Sequence, residues 1–124
     1  MKKTISIIAP CFNERDNIKL FYEKIKNIFQ NNIKNYDFEL IIVDDCSTDG
    51  SDKILKEISK EDHNIKIVIN NINYGAHKST FNVIKYANGD ALIPMLPVDM
   101  QDTPELIIDF VEKWEKGFDI VYGI

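Results

Sequence analysis

Carboxylates recur in this sequence directly after short apolar runs, and that pattern carries a chemistry of its own. Asp44-Asp45 follow Phe38–Val43, and Asp99 to Asp102 follow Ala91–Met95. Asn13-Glu14 come after Thr4–Pro10, and the polar stretch Asn73–Lys78 comes after Ile65–Ile69. Carboxylates repel phosphate unless a cation intervenes, and Mg2+ or Mn2+ takes oxygen ligands that bridge protein carboxylates to substrate phosphates. The acidic clusters therefore point to a metal–diphosphate complex. Glycine-rich phosphate loops do not compete with this: no G-x-G-x-x-G follows the first apolar run, and no G-x-x-x-x-G-K-[ST] occurs. Dinucleotide oxidoreductases and P-loop hydrolases are disfavoured.

The elements that must hold these residues alternate. Thr4–Pro10, Phe38–Val43, Ile65–Ile69, Ala91–Met95 and Phe118–Tyr122 are short apolar runs of strand type. Between them, Asp16–Phe29 places Ile18, Tyr22, Ile25 and Phe29 at helical spacing, and Ile54, Leu55 and Ile58 mark a helix after the turn Ser47–Gly50. A third helix is expected near Ala76–Ala87, closed by Asn88-Gly89 as a left-handed stop. A fourth starts at Asp102-Thr103-Pro104-Glu105 with capping-box spacing and buries Leu106, Ile107, Phe110, Val111 and Trp114. Strand–helix alternation predicts an α/β fold: a Rossmann-like open, mainly parallel sheet flanked by helices. In such sheets ligands bind beyond the carboxyl ends of the strands, where all four polar clusters fall.

Length and composition set the outer bounds. The 124 residues make one domain, with ordinary hydrophobic (44%) and charged (28%) content. The formal charge of −5 argues against a nucleic-acid partner. No apolar run reaches the ~20 residues of a membrane-spanning helix. Cys11 and Cys46 make neither a metal pattern nor a disulfide framework, so a cytoplasmic setting is the default. Several residues have plainer roles: Asp49 as a helix cap, Asp102 in its capping box, Trp114 in helix packing, and His77 and Lys78 as a helix end that is solvated or attracts phosphate.

The segments IIAPCFNE, ELIIVDDCSTDGS, NYGAH, ANGDALIPM and DMQDTPE together resemble family 2 inverting glycosyltransferases of the GT-A fold, over essentially the whole chain. The D-[LM]-Q-D-x-P-E segment is similar to the branch that transfers sugars to polyprenyl phosphates, such as dolichyl-phosphate mannose synthases. The resemblance implies a nucleotide-binding set of Pro10, Glu14, Asp44, Asp45 and Val98. In that set Asp45 accepts a hydrogen bond from the base, and Asp44 supports the loop or ribose. Asp99 is the implied catalytic residue and, with Gln101, the ligand of Mg2+ or Mn2+. The family's D-x-D motif would put its first carboxylate at Pro97, a departure that weakens the metal site. The implied reaction moves a sugar from a UDP- or GDP-sugar, with inversion, to a polyprenyl-phosphate or glycan acceptor in cell-envelope glycan synthesis. Alternatives are a polysaccharide transferase with a sugar-hydroxyl acceptor, or a non-catalytic nucleotide-binding module. The resemblance also implies that 1–124 is the N-terminal part of a longer catalytic domain, so that membrane association would come through regions outside this chain. A sheet edge left open could pair two copies.

Overall fold

A computed structural model describes residues 2–121. Its elements alternate as the sequence requires: β1 (Lys3–Cys11), α1 (Ile18–Asn31), β2 (Tyr36–Asp44), α2 (Ser51–Glu61), β3 (Ile65–Ile69), α3 (Ala76–Val83), β4 (Ala91–Ile93) and α4 (Leu106–Glu115). A short 3-10 turn, Ile84–Tyr86, extends α3. The sheet has four strands in the order β3-β2-β1-β4, and every pairing is parallel. Sheets of this kind must be covered on both faces. Ile5, Ile7 and Ala9 of β1 and Phe38, Leu40 and Ile42 of β2 pack with α1, α2 and α4 through Phe21, Ile25, Leu55, Ile107 and Val111. The alternate residues Ile8, Ile41 and Val43 turn to the other face and meet Val83 of α3. Strand alternation thus divides the core between two faces, with α3 and the turn after it covering the second among the described residues.

Four expectations change. β4 stops at Ile93 rather than Met95, because Pro94 has no N–H to give the ladder. The chain nevertheless keeps following β1, with Leu96 N donating to Ile8 O at 2.8 Å and Val98 N to Pro10 O at 3.2 Å. Asn88-Gly89 is no left-handed stop, since Gly89 is not among the positive-φ glycines. Glycine is needed there because a Cβ would meet Ser6 Oγ at 2.5 Å and Thr4 O at 2.8 Å. The capping box before α4 does not form: the chain enters through a tight turn in which Leu106 N bonds Thr103 O, and no cap comes from a side chain. The fifth strand, expected over Phe118–Tyr122, is an irregular segment over 118–121, with Tyr122 outside the described residues. Phe118 N turns back to Lys113 O instead, and a strand without a ladder partner leaves its backbone groups unpaired. No helix among the described residues is long and apolar enough to cross a membrane.

Candidate functional site

β2 and β3 succeed β1 on one side, whereas β4 lies on β1's other side, so the topological switch point falls between β1 and β4. Among the described residues, the three non-glycine residues with positive φ all stand at this end of the sheet: Asn13 (51°) past β1, Cys46 (64°) past β2 and Met100 (61°) past the β4 segment. Side chains other than glycine's visit this region at a cost, and such residues cluster where structure serves a ligand.

The β1 and β2 turns are cross-tied. Asn13 N donates to Ser47 Oγ at 2.9 Å, and Thr48 N donates to Asn13 Oδ1 at 2.8 Å. Arg15 N donates to Asp49 Oδ2 at 3.1 Å, while Asp49 Oδ1 accepts from Ser51 N at 3.0 Å in the first turn of α2. A cleft of about 460 Å³ opens over these turns, lined by Asn13, Glu14, Asn17, Thr48 and Asp49 among others. Glu14 is half-buried there and accepts from Asn17 Nδ2 at 2.7 Å. Phe12, beside it, exposes 46% of its surface.

Asp44 ends β2 and Asp45 begins the turn after it, and the two face different tasks. Asp44 is buried and takes the Ser47 hydroxyl at 2.5 Å. Burial pushes its carboxyl up from the ordinary range, against the Ser47 hydrogen bonds that pull it down. Burial and the Asp44 charge likewise push the Cys11 thiol to about 12, leaving it protonated and inert. Asp45, 3% exposed, organises the loop after β3. Its Oδ1 accepts from Asn70 Nδ2 at 3.0 Å and Tyr74 N at 2.8 Å, and its Oδ2 from Gly75 N at 2.8 Å. Burial alone would raise the Asp45 carboxyl; the Tyr74, Asn70 and Gly75 donors outweigh it and hold the group below the usual range, as an anion. Asn70 also donates to the buried Ser79 Oγ at 2.9 Å, which anchors the loop to α3.

Asp99 and Gln101 share one turn on the β4 side. Gln101 N donates to Asp99 Oδ1 at 3.1 Å, and both side chains are exposed. Pro97 begins this turn, its carbonyl accepting from Met100 N at 3.2 Å. Pro10 and Val98 are buried and joined by their backbone bond, which sets Asp99 next to the turn after β1. Among the described residues no three His, Cys, Asp or Glu side chains converge as a cation cage. A single exposed carboxylate with a neighbouring amide suits a hard cation that arrives on a diphosphate and keeps its waters.

The structure therefore brings Asn13, Glu14, Asp44, Ser47 and Asp49 together, sets Asp45 in the adjoining loop, and puts Asp99 and Gln101 on the β4 side of β1. Among the described residues no hydrogen bond joins the Asp45 and Asp99 groups. Sequence reasoning missed the Asn70–Asp45–Ser79 network and the role of Ser47. For Asn70 and Ser47 the sequence signal is a polar residue one and three places past a strand, which turns share.

Residues 6–124 match the family model described as Glycosyl transferase family 2. The uncharacterized glycosyltransferase YkcC of Bacillus subtilis is 36% identical over 119 residues, covering 96% of this chain and 36% of the relative. The prophage bactoprenol glucosyl transferase homolog of Escherichia coli is 32% identical over 117 residues, covering 94% of this chain and 37% of the relative. The chain thus spans a little over a third of the length of these curated relatives. Among solved structures, mannosyltransferase PcManGT from Pyrobaculum calidifontis, in complex with GDP-Man and Mn2+, superposes with a TM-score of 0.68 at 19% identity. That superposition covers 90% of this chain and 32% of that one, and at such identity it speaks to the fold alone.

Proposed function

Because the chain belongs to glycosyl transferase family 2, we propose that it forms the donor-binding part of an inverting transferase, holding a nucleoside-diphosphate sugar at the carboxyl ends of β1, β2 and β4. The observation that carries this is the strand order: it puts the switch point at the carboxyl ends of β1 and β4, with the cleft of Glu14 on one side and the exposed Asp99 on the other. The base occupies the Glu14 side, where Phe12 offers an exposed ring for stacking. A carboxylate has about four acceptor positions. Asp45 spends them on its own loop and on Ser79 of α3, so its part is to hold that loop beside the base.

The diphosphate lies towards Asp99, which with Gln101 holds Mg2+ or Mn2+. The ion, when bound, neutralises charge on the departing diphosphate. Asp99 and Gln101 orient that end of the donor, and the ionised Asp45 fixes the loop after β3 beside it. A polyprenyl-phosphate acceptor suits this equipment, being already an anion that needs no general base. The bactoprenol transferase homolog among the relatives supports that choice of acceptor. Attachment to a membrane and pairing of two copies through the β4 edge, which has no further strand beside it among the described residues, extend the proposal; vesicle co-pelleting and sedimentation read them out.

Calorimetry with UDP and GDP, with and without Mn2+, tests it. Binding of one nucleotide that strengthens with Mn2+ is expected. Asp99→Ala should remove the metal-dependent part, about tenfold or more in affinity; an unchanged metal effect would relocate the cation.

A further inference from the structure

The tie between the turns after β1 and β2 has a fixed polarity. Ser47 Oγ lies 2.5 Å from Asp44 Oδ1 and 2.9 Å from Asn13 N. A hydroxyl has a single proton. The Asn13 amide can only donate, so Ser47 Oγ accepts from it with a lone pair and turns its own proton to Asp44 Oδ1. Asn13 answers through its side chain, whose Oδ1 receives Thr48 N at 2.8 Å. Two left-handed residues, Asn13 and Cys46, are thereby held on either side of one serine. Strained backbone persists only where its surroundings over-determine it, and this relay supplies that determination.

We propose that Ser47 is a positioning residue for the nucleotide. Its hydroxyl, oriented by Asp44, locks the turn after β1 onto the turn after β2, so that the wall carrying Phe12 and Glu14 is in place before the donor arrives. Ser47 does not touch the ligand; it removes the ordering cost of the loop that does. This rests on the donor-binding role proposed above.

A second relay of the same chemistry separates positioning from mere stability. At the opposite end of the sheet, Ser6 Oγ donates to Glu39 Oε1 at 2.7 Å and accepts from Gly89 N at 2.8 Å. Ser6 is fully buried, and no residue of the proposed donor site lies in that network. Ser6→Ala therefore reports what losing such a relay does to the fold alone.

Affinity for UDP and GDP in the presence of Mn2+ is measured by calorimetry, alongside melting temperature, for the wild type, Ser47→Ala, Ser47→Thr, Asn13→Gly and Ser6→Ala. Ser47→Ala should bind about tenfold more weakly, the loss expected from one relay's hydrogen bonds. Ser47→Thr keeps the hydroxyl and should restore affinity to within about threefold of wild type. Asn13→Gly accepts the left-handed backbone without strain but lacks the side-chain tie, and should also bind several-fold more weakly even if Ser47→Ala does not fold. Ser6→Ala should melt earlier yet bind as the wild type does. Undiminished binding by both Ser47→Ala and Asn13→Gly overturns the inference while leaving the donor-binding role intact. Equal losses in Ser47→Ala and Ser6→Ala overturn it too, since stability alone would then account for both. A wild type that binds neither nucleotide removes the donor-binding role itself, and the inference with it.

Discussion

Asp45 shows how one buried side chain can organise a whole loop. Three donors from Asn70, Tyr74 and Gly75 converge on it, and all belong to the loop between β3 and α3. Asparagine is nearly the same shape but must aim its NH2 at some of those donors. Asp45→Asn should therefore lose about 2 kcal/mol of stability, the cost of leaving a buried donor unpaired, as read from the urea midpoint. Nucleotide affinity should fall with it, by about tenfold. Intact affinity in a folded Asp45→Asn protein would mean that the loop after β3 takes no part in donor binding. Asp45, Asp44 and Asp99 were all recognisable from sequence as carboxylates at strand ends. What each of them faces was not: only the packed loops decide which carboxylate is buried and which is solvated.

Among the elements, the return from α3 to β4 is shaped by close approach. Gly89 packs against Ser6 and Thr4 so tightly that any Cβ would overlap backbone as well as side-chain atoms. Substituting Gly89 by Ala should destabilise the fold by about 2–3 kcal/mol through overpacking. Asn at this position is the informative comparison, since it tolerates left-handed backbone. A left-handed stop would accept Asn with little loss, whereas close approach predicts a cost at least as large as that of Ala. Urea melts of the two variants distinguish these outcomes. The strand–helix alternation was legible because burial on both faces demands apolar runs. The junctions were less so: Pro94 interrupting β4 and the tight turn entering α4 depend on which hydrogen-bond partners the tertiary fold supplies.

For the molecule as a whole, the carboxylates make stability depend on pH with a calculable sign. In Asp45, Asp49 and Glu39 burial pushes the carboxyl up, but hydrogen bonds, and for Glu39 the Lys66 ammonium, outweigh it and leave all three depressed. Their contribution is present above the unfolded carboxylate values of about 4 and is lost as pH falls through the lower folded values. Asp44 is raised by burial and works in reverse: its contribution is present below about pH 4 and fades as pH rises through its folded value. Three groups against one predict a melting temperature that drops on acidification below about pH 4, with a shallower drop in Asp45→Asn. A melting temperature that rises on acidification would contradict this assignment.

As a linear string, the residues were sufficient for an open parallel α/β sheet, for the strand ends as the place of chemistry, and for the family, because periodicity and short motifs are local properties. The order β3-β2-β1-β4 was decided in three dimensions, since strand pairing depends on contacts far apart in the chain. So was the division of labour at the rim. Asp45 is drawn into the loop after β3, Ser47 ties the turn after β1 to that after β2, and Asp99 is left facing solvent across β1. Each of these is settled by which donors lie within about 3 Å once the layers have packed.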